Sequence, residues 1–312
     1  MRVLVAGGSG FLGAALVGWL TGHGHQVLRL VRRQPAAPDE RRWQPGAAPL
    51  DPATVADVDA VVNLAGSSLG TRVGPVRVPV RLWTPSYRRE FRASRVDATA
   101  TLAEAIATAD PKPRAFLAGS AVGWYGDTGD TVTDESSPPG DSYFAATSRD
   151  WEQAAAPAEA AGVRVAYLRT GMPLHRSGGM FAPLRQLFRL GLGGRIGDGR
   201  QWQPLLSLAD WLAAVDFVLH TDTVAGPVNL VGPQPVTNRE FTAAMGRLLR
   251  RPTVLPAPAP LLVAALGEFG RDALGNHRVV PNVLTGAGFT FEHPELEAIL
   301  QAALAPLPTG RP

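Results

Sequence analysis

The sequence contains no cysteine, and only one of its 30 lysine and arginine residues, Lys112, is a lysine. Without cysteine the chain forms no disulfide, carries no thiolate nucleophile and builds no zinc–thiolate site. Its six histidines are spread along the chain without the one-turn helical spacing that brings two of them to one ion. The sequence therefore predicts no metal centre.

Long hydrophobic runs are also missing from the sequence. No apolar stretch approaches the roughly 18 residues that a membrane span needs, and Met1 leads straight into an apolar strand pattern instead of a signal peptide. The formal charge is only +3, and the basic residues form no stripe interleaved with aromatic side chains. We therefore expect a cytoplasmic protein without a membrane or nucleic-acid partner.

Apolar strand-like segments alternate with helical segments through the first half of the chain. Strands are predicted at 3–6, 26–31, 60–64, 115–118 and 163–168, and helices at 11–21, 86–108 and 143–161. Such uniformly apolar strands are typical of a sheet that is buried on both faces. The pattern predicts an α/β fold with a doubly wound parallel sheet. Beyond about residue 170, shorter segments rich in glycine and proline predict a smaller second lobe.

A glycine-rich turn joins the first predicted strand to the first predicted helix. Without a Cβ, its backbone N–H groups can approach a pyrophosphate closely, and the helix N-terminus adds about half a positive charge. This strand, turn and helix together predict a Rossmann-type dinucleotide site. The expected phosphate-binding residues are Gly7, Ser9, Gly10, Phe11, Leu12 and Gly13.

The second predicted strand is followed by Arg32 and Arg33, where a site for NAD(H) normally carries an acidic residue. A guanidinium makes paired, charge-assisted contacts to a 2′-phosphate, which favours NADP(H) over NAD(H); alternatively, the two arginines only solubilise a loop. Residues after the strand at 60–64 are expected to lie against the cofactor's ribose and phosphates: Asn63, Leu64, Ala65 and Gly66. We therefore predict an NADP(H)-binding domain at 1–170 and a smaller substrate-binding lobe at 171–312, partly interleaved with it.

Together these segments resemble the extended short-chain dehydrogenase/reductase superfamily, and nearly the whole chain resembles its atypical, epimerase-like branch. The stretches that carry the resemblance are 7–13, 63–66, 81–84, 94–95, 120–126, 151–152, 168–171, 191–194, 199–202, 226–229 and 288–289. The resemblance implies a Rossmann-type domain with an NADP(H)-type cofactor. It does not imply one particular reaction.

The wider superfamily implies a catalytic serine or threonine, a tyrosine, and a lysine four residues after that tyrosine. The tyrosine exchanges a proton with the substrate oxygen, and the lysine lowers the pKa of the tyrosine. Here Tyr143 is the expected proton donor, but Thr147 stands at the lysine position. The epimerase-like branch usually has an aromatic residue without a hydroxyl where this chain has Tyr143.

Three further residues complete the expected site. Ser120 is the expected serine, although counting four residues back from Tyr125 leads to Ala121. Tyr125 is a second candidate proton donor. Arg169 follows a predicted strand, and its charge could partly replace that of the missing lysine beside the cofactor; strand-end arginines are also often structural.

These residues favour an NADP(H)-dependent oxidoreductase or epimerase-like enzyme that reduces a carbonyl, imine or conjugated alkene of a small molecule. One alternative is a tailoring enzyme, a cyclase, dehydratase or epimerase, that holds its cofactor without consuming it. Another is a protein that binds NADP(H) without catalysis. The helices at 86–108 and 143–161 could pair across a two-fold axis to form a homodimer, or each could cover the sheet alone.

Overall fold

Seven parallel strands form the central sheet of the computed structural model, which describes residues 1–68, 71–73, 76–78, 83–254, 256, 263, 267–272 and 274–306. The strands along the chain are β1 Arg2–Ala6, β2 Gln26–Val31, β3 Glu40–Arg42, β4 Ala60–Asn63, β5 Thr71–Val73, β6 Val76–Val78, β7 Ala115–Ala121, β8 Arg164–Thr170, β9 Met172–Leu174, β10 Trp202–Gln203, β11 Leu205–Ser207, β12 Gly226–Leu230 and β13 Val236–Thr237. In space the sheet runs β12-β8-β7-β4-β1-β2-β3. The Rossmann-type doubly wound sheet predicted from the sequence is confirmed.

Helices cover both faces of this sheet. They are α1 Phe11–Gly22, α2 Ala53–Ala56, α3 Pro85–Thr108, α4 Tyr143–Gln153, α5 Ala156–Ala160, α6 Phe181–Arg189, α7 Leu208–His220, α8 Asn238–Leu249, α9 Glu268–Asp272, α10 Asn282–Gly286 and α11 Leu296–Leu304. Within the described part of the chain, no helix has the length and apolar character to cross a membrane.

The alternation of side chains along the strands explains why both faces are covered. On β1, Val3 and Val5 pack with α1 and α7 on one face, whereas Leu4 and Ala6 pack with α3 and α5 on the other. The chain leaves β1 through α1 and leaves β4 through α3, so these neighbouring strands send their helices to opposite faces. The crevice between β1 and β4 is therefore the topological switch point where such folds bind ligands.

The helices at the carboxyl edge of the sheet begin at sequence-encoded caps. The Thr84 side chain accepts a hydrogen bond from the Tyr87 amide, and Pro85 occupies the first turn of α3. Ser142 caps α4 in the same way through the Ala145 amide. Both helices therefore start at defined positions beside the switch point.

The chain after β8 builds a second hydrophobic cluster from α6, α8 and α11, centred on Phe181, Phe188 and Phe241. It is not separate from the sheet, because β12 returns to pair with β8 in parallel and α7 packs on the sheet face. The domain boundary at residue 170 stays a prediction.

Two local features differ from the sequence prediction. The helix predicted at 143–161 is broken, because α4 ends at Gln153 and α5 begins at Ala156. Pro157 gives the reason: it has no N–H to donate, and in a continuous helix its ring would collide with the carbonyl of Gln153. The strand β3 is not predicted, since its three residues are all charged and it lies at the sheet edge beside β2.

Two glycine-to-alanine substitutions should change stability in opposite directions. A Cβ on Gly119 would lie 2.7 Å from the Trp151 ring and 2.8 Å from the Asn63 carbonyl oxygen, so Gly119→Ala should destabilise the fold by about 1–3 kcal/mol. A Cβ on Gly18, on the exposed side of α1, meets nothing within 4 Å, so Gly18→Ala should stabilise it by about 0.5–1 kcal/mol. Urea unfolding of both variants measures the difference, and equal effects would contradict the packing described for β7.

Candidate functional site

The turn after β1 leaves no room for side chains at two of its glycines. Gly7 has φ of 81°, and a Cβ there would lie 2.6 Å from the carbonyl oxygen of Leu64, in the loop after β4. A Cβ on Gly13 would overlap the Gly7 carbonyl oxygen. The loops that follow β1 and β4 therefore touch at the switch point, as a Rossmann-type cradle requires.

Gly10 caps α1 and leaves the space in front of the helix open. Its amide donates to the Gly7 carbonyl at 2.9 Å, and its own carbonyl accepts from the Ala14 amide at 2.9 Å. No side chain caps this end and no acidic residue lies in the first turn. The first N–H groups of a helix have no partner within it, so those of α1 remain available to an anion. The cradle fits a pyrophosphate.

The remaining predicted cradle residues lie around this opening: Ser9 is exposed at the tip of the turn, and Phe11 and Leu12 are half-buried at the start of α1. Phe11 also meets the second lobe, because a Cβ on Gly178 or Gly179 would collide with its ring. Sequence reasoning singled out Phe11 for the cofactor but missed this contact. In the sequence, the sign of this contact is the pair of adjacent glycines at 178 and 179.

The two arginines after β2 have different environments. Arg33 is bonded through both terminal nitrogens to the buried Glu40 carboxylate, at 2.7 and 2.6 Å. This pairing, with the Ala36 amide, lowers the pKa of Glu40 to about 2. Arg32 is exposed and forms no hydrogen bond or ion pair with any residue in the described ranges. Arg32 is therefore free for a 2′-phosphate, whereas Arg33 holds the loop that leads to β3.

The loop after β4 is shaped from inside by Asn63. This buried side chain donates to the Thr99 hydroxyl at 2.8 Å and accepts from the Ala65 amide at 3.0 Å. Asn63 therefore positions the loop from the core, while Leu64, Ala65 and Gly66 form the part that lines the switch point.

Three polar residues form a row across neighbouring strands on the face covered by α3 and α4. Ser120, Arg169 and Asn229 are register partners on β7, β8 and β12. Glu152 of α4 joins this row: it accepts from the Ser120 hydroxyl at 2.6 Å and from Arg169 Nε and Nη2 at 2.8 and 2.9 Å. Arg169 is only 3% exposed. Its charge is thus compensated inside the protein.

Tyr125 belongs to the same buried network. Its hydroxyl donates to Asn229 Oδ1 at 2.7 Å and accepts from Arg169 Nη1 at 3.1 Å, and the residue is 2% exposed. Burial raises its pKa, against the opposing effect of Arg169. Ser120 and Tyr125 therefore lie in one buried network, in which both hydroxyls are enclosed and bonded to protein partners.

Tyr143 lies apart from this network, in the first turn of α4. It is half-buried, and its hydroxyl donates to the Arg88 carbonyl of α3 at 2.6 Å. The Arg88 guanidinium lies 4.5 Å from the centre of the tyrosine ring. Because α3 and α4 both follow parallel strands of the sheet, their first turns place Tyr143 at the carboxyl edge.

A second arginine, which sequence reasoning did not single out for a role, approaches Tyr143. Arg95 packs its guanidinium 3.6 Å from the Phe91 ring centre and bonds to the carbonyls of Phe91 and Ser67. Burial lowers its pKa to about 10, and its electrostatic interactions with Tyr87 and Tyr143 oppose that shift. At the expected lysine position, Thr147 is buried and its hydroxyl has no partner among the described residues. Arg95 is therefore a second, partly buried cation on the face covered by α3 and α4, in addition to Arg169.

Comparison with known proteins assigns the fold and cradle to a family. The model of the NAD dependent epimerase/dehydratase family matches residues 3–232, which include the glycine turn and the polar row. The chain belongs to that family. A second family model, a domain of unknown function (DUF1731), matches residues 257–303 of this epimerase-family chain. Of the stretches that suggested the resemblance, residues 81 and 82 lie outside the described part of the structure.

Other epimerase-family proteins resemble the whole chain. It is 43% identical to the epimerase family protein ML0860 of Mycobacterium leprae over 306 residues, which cover 97% of this chain and 96% of the relative. The crystal structure of the human epimerase family protein SDR39U1 (isoform 2) with NADPH matches with a TM-score of 0.86 and 33% identity, covering 97% of this chain and 99% of that one. The ligand of that relative agrees with the expected NADP(H).

A sugar-nucleotide epimerase is also structurally similar. The nucleoside-diphosphate sugar epimerase of Corynebacterium glutamicum matches with a TM-score of 0.78 and 32% identity, covering 97% of this chain but 58% of that one. The epimerase-like resemblance inferred from the motifs is thereby confirmed, and these relatives do not establish a reaction for this chain.

Single substitutions should separate the roles of the two arginines after β2. Because Arg32 has no partner among the described residues, Arg32→Glu should weaken NADPH binding about tenfold or more and leave NADH binding nearly unchanged. Arg33→Glu should instead lower the melting temperature, since it sets a second carboxylate against Glu40. Calorimetric titration and thermal unfolding measure both effects. Arg149→Glu is the control, because it makes the same change of charge at an exposed position on α4. An equal loss of NADPH and NADH binding in Arg32→Glu would contradict the 2′-phosphate assignment.

Proposed function

We propose that this protein is an NADP(H)-dependent oxidoreductase that reduces a carbonyl, imine or conjugated alkene of a small molecule. The observation that carries the proposal is the placement of Tyr143, with the Arg88 guanidinium over its ring, at the same edge of the sheet as the glycine cradle. The bound cofactor supplies a hydride in such chemistry. The chain must then supply a proton and a pocket.

Tyr143 is the best-placed proton donor among the predicted hydroxyls. Ser120 and Tyr125 are enclosed in the network of Glu152, Arg169 and Asn229, and freeing either would leave buried polar groups without partners. Tyr143 is half-buried, and its hydroxyl donates a hydrogen bond to the backbone carbonyl of Arg88. A substrate oxygen that replaces this carbonyl as acceptor would receive the proton.

The charges around the site favour reduction over oxidation. A tyrosine in water has a pKa near 10 and keeps its proton at neutral pH, so without a strongly activating neighbour it is an adequate acid and a poor base. Thr147 cannot provide the activation that a lysine gives. Arg169 does not provide this activation either, because Glu152 binds it.

A second candidate function rests on the buried threonine. Thr147 occupies the expected lysine position, and its hydroxyl has no hydrogen-bond partner within the described ranges, so a group that holds the nicotinamide ribose is lost while the phosphate cradle is kept. This favours a protein that retains NADP(H) without consuming it, either as a tailoring enzyme for cyclisation, dehydration or epimerisation or as a binding protein.

The proposal also covers location and partners. We propose a cytoplasmic protein that binds a small-molecule substrate and forms a homodimer through α3 and α4. We propose no nucleic-acid or membrane partner for it.

Cofactor stoichiometry tests the two candidates. The protein is incubated with NADPH deuterated at C4 and with a panel of small aldehydes, ketones, imines and enones. Loss of NADPH absorbance together with deuterium in the product supports the reductase. Conversion of a compound at constant NADPH absorbance, or tight NADPH binding without any conversion, supports the second candidate.

Removal of the Tyr143 hydroxyl should slow reduction without disturbing the cofactor. Tyr143→Phe should lower kcat by about 100-fold or more, the usual contribution of a general acid, while the Kd for NADPH stays within error. Tyr167→Phe is the matched control, since it removes a hydroxyl that donates to Glu159 on α5. A Tyr143→Phe rate equal to that of the control would assign Tyr143 to packing alone.

A further inference from the structure

Two histidines and an aspartate meet at the end of α1 that points away from the cradle. His25 lies in the turn before β2, and Asp216 and His220 lie one turn apart on α7. One ligand atom from each of the three lies within 4.8 Å of the others. His25 Nε2 is 3.7 Å and His220 Nδ1 is 3.2 Å from the same oxygen, Asp216 Oδ1.

Two buried polar atoms of this group have no hydrogen-bond partner among the described residues. The His25 side chain is only 8% exposed, and its Nδ1 has no hydrogen-bond partner in the part of the chain that is described. Asp216 Oδ1 is buried and likewise has no hydrogen bond from a described residue. Buried donors and acceptors are nearly always satisfied, so each exception calls for a partner.

Neighbouring groups orient the aspartate towards the histidines. The Trp19 indole N–H donates to Asp216 Oδ2 at 3.3 Å, which leaves Oδ1 directed at the two rings. Metal-binding carboxylates are often held in this way by an outer hydrogen bond. His220 Nδ1 lies 2.9 Å from the Asp216 carbonyl, and its side chain is 51% exposed, so the ring can turn to offer a nitrogen on the solvent side.

We propose that His25, Asp216 and His220 bind a divalent transition-metal ion of the Zn²⁺ class. Two imidazoles and one carboxylate suit Zn²⁺, Co²⁺ or Ni²⁺, whereas Mg²⁺ and Ca²⁺ prefer oxygen ligands. Water completes the coordination on the exposed side of His220. The sequence predicts no such centre, because His25 and His220 are far apart along the chain and only the packing of α1 against α7 brings their rings to 5.2 Å.

The site is structural in this proposal. With a rise of about 1.5 Å per residue, the 12 residues of α1 separate it from the cradle by roughly 18 Å. An ion there joins the turn before β2 to α7. It therefore stabilises the attachment of α7 to the sheet and does not take part in the nucleotide chemistry.

Metal titration of the untagged, EDTA-treated full chain tests the proposal. Co²⁺ is the spectroscopic probe, Zn²⁺ competes for it, and we expect one ion per chain and a rise in Tm that EDTA reverses. Asp216→Asn and His220→Ala should each weaken Co²⁺ binding more than about tenfold, since even outer-shell partners contribute about 10–100-fold. His23→Ala is the matched control, because His23 is exposed and stacks on Trp19 beside the site without belonging to it.

Clear outcomes would overturn the proposal. The first is a Tm that does not respond to Zn²⁺, and the second is a Co²⁺ spectrum that stays that of the free ion. The third is a loss of Co²⁺ affinity in His23→Ala as large as the loss in His220→Ala. Circular dichroism and unfolding in EDTA establish that each variant folds, and NADPH binding by the same variants should stay unchanged. Loss of metal binding with intact NADPH binding separates this site from the proposed oxidoreductase function.

Discussion

The close approach of two backbone turns, after β1 and after β4, is the constraint on which the site depends. Gly7 can follow β1 only because nothing extends from its Cα towards the Leu64 carbonyl, and Gly13 lets α1 rest against the same turn. Any side chain at these points would move α1 away from β4. The switch point would then open, and the N-terminal amides of α1 would no longer face the crevice.

The surrounding structure divides the expected catalytic groups into two sets. Ser120, Tyr125 and Arg169 lie in one buried network, in which every charge or hydroxyl is held by Glu152 or Asn229. These buried hydrogen bonds rigidify the junction of β7, β8 and β12. Tyr143 lies outside this network, in the first turn of α4 at the carboxyl edge of the sheet. The structure thus places the buried network apart from the residue that we propose as the proton donor.

Local signals predicted the sheet and the cradle, because alternating apolar segments and a glycine turn encode them within a few neighbouring residues. The break before Pro157 was also present in the sequence, but the apolar spacing on both sides of it was the stronger pattern. Side-chain partners were not predictable from the sequence, whether they are seven residues apart or nearly two hundred. Arg33 pairs with Glu40, Arg169 pairs with Glu152, and His220 of α7 lies beside His25. Each pairing depends on packing that residue spacing does not encode.

The contact between Phe11 and the glycines at 178 and 179 connects the two halves of the molecule. Phe11 stands at the mouth of the cradle, and the glycine segment belongs to the lobe expected to hold the substrate. A side chain added at Gly178 or Gly179 would therefore press on the ring at the start of α1, so a change far along the chain would disturb the helix N-terminus that faces the cradle.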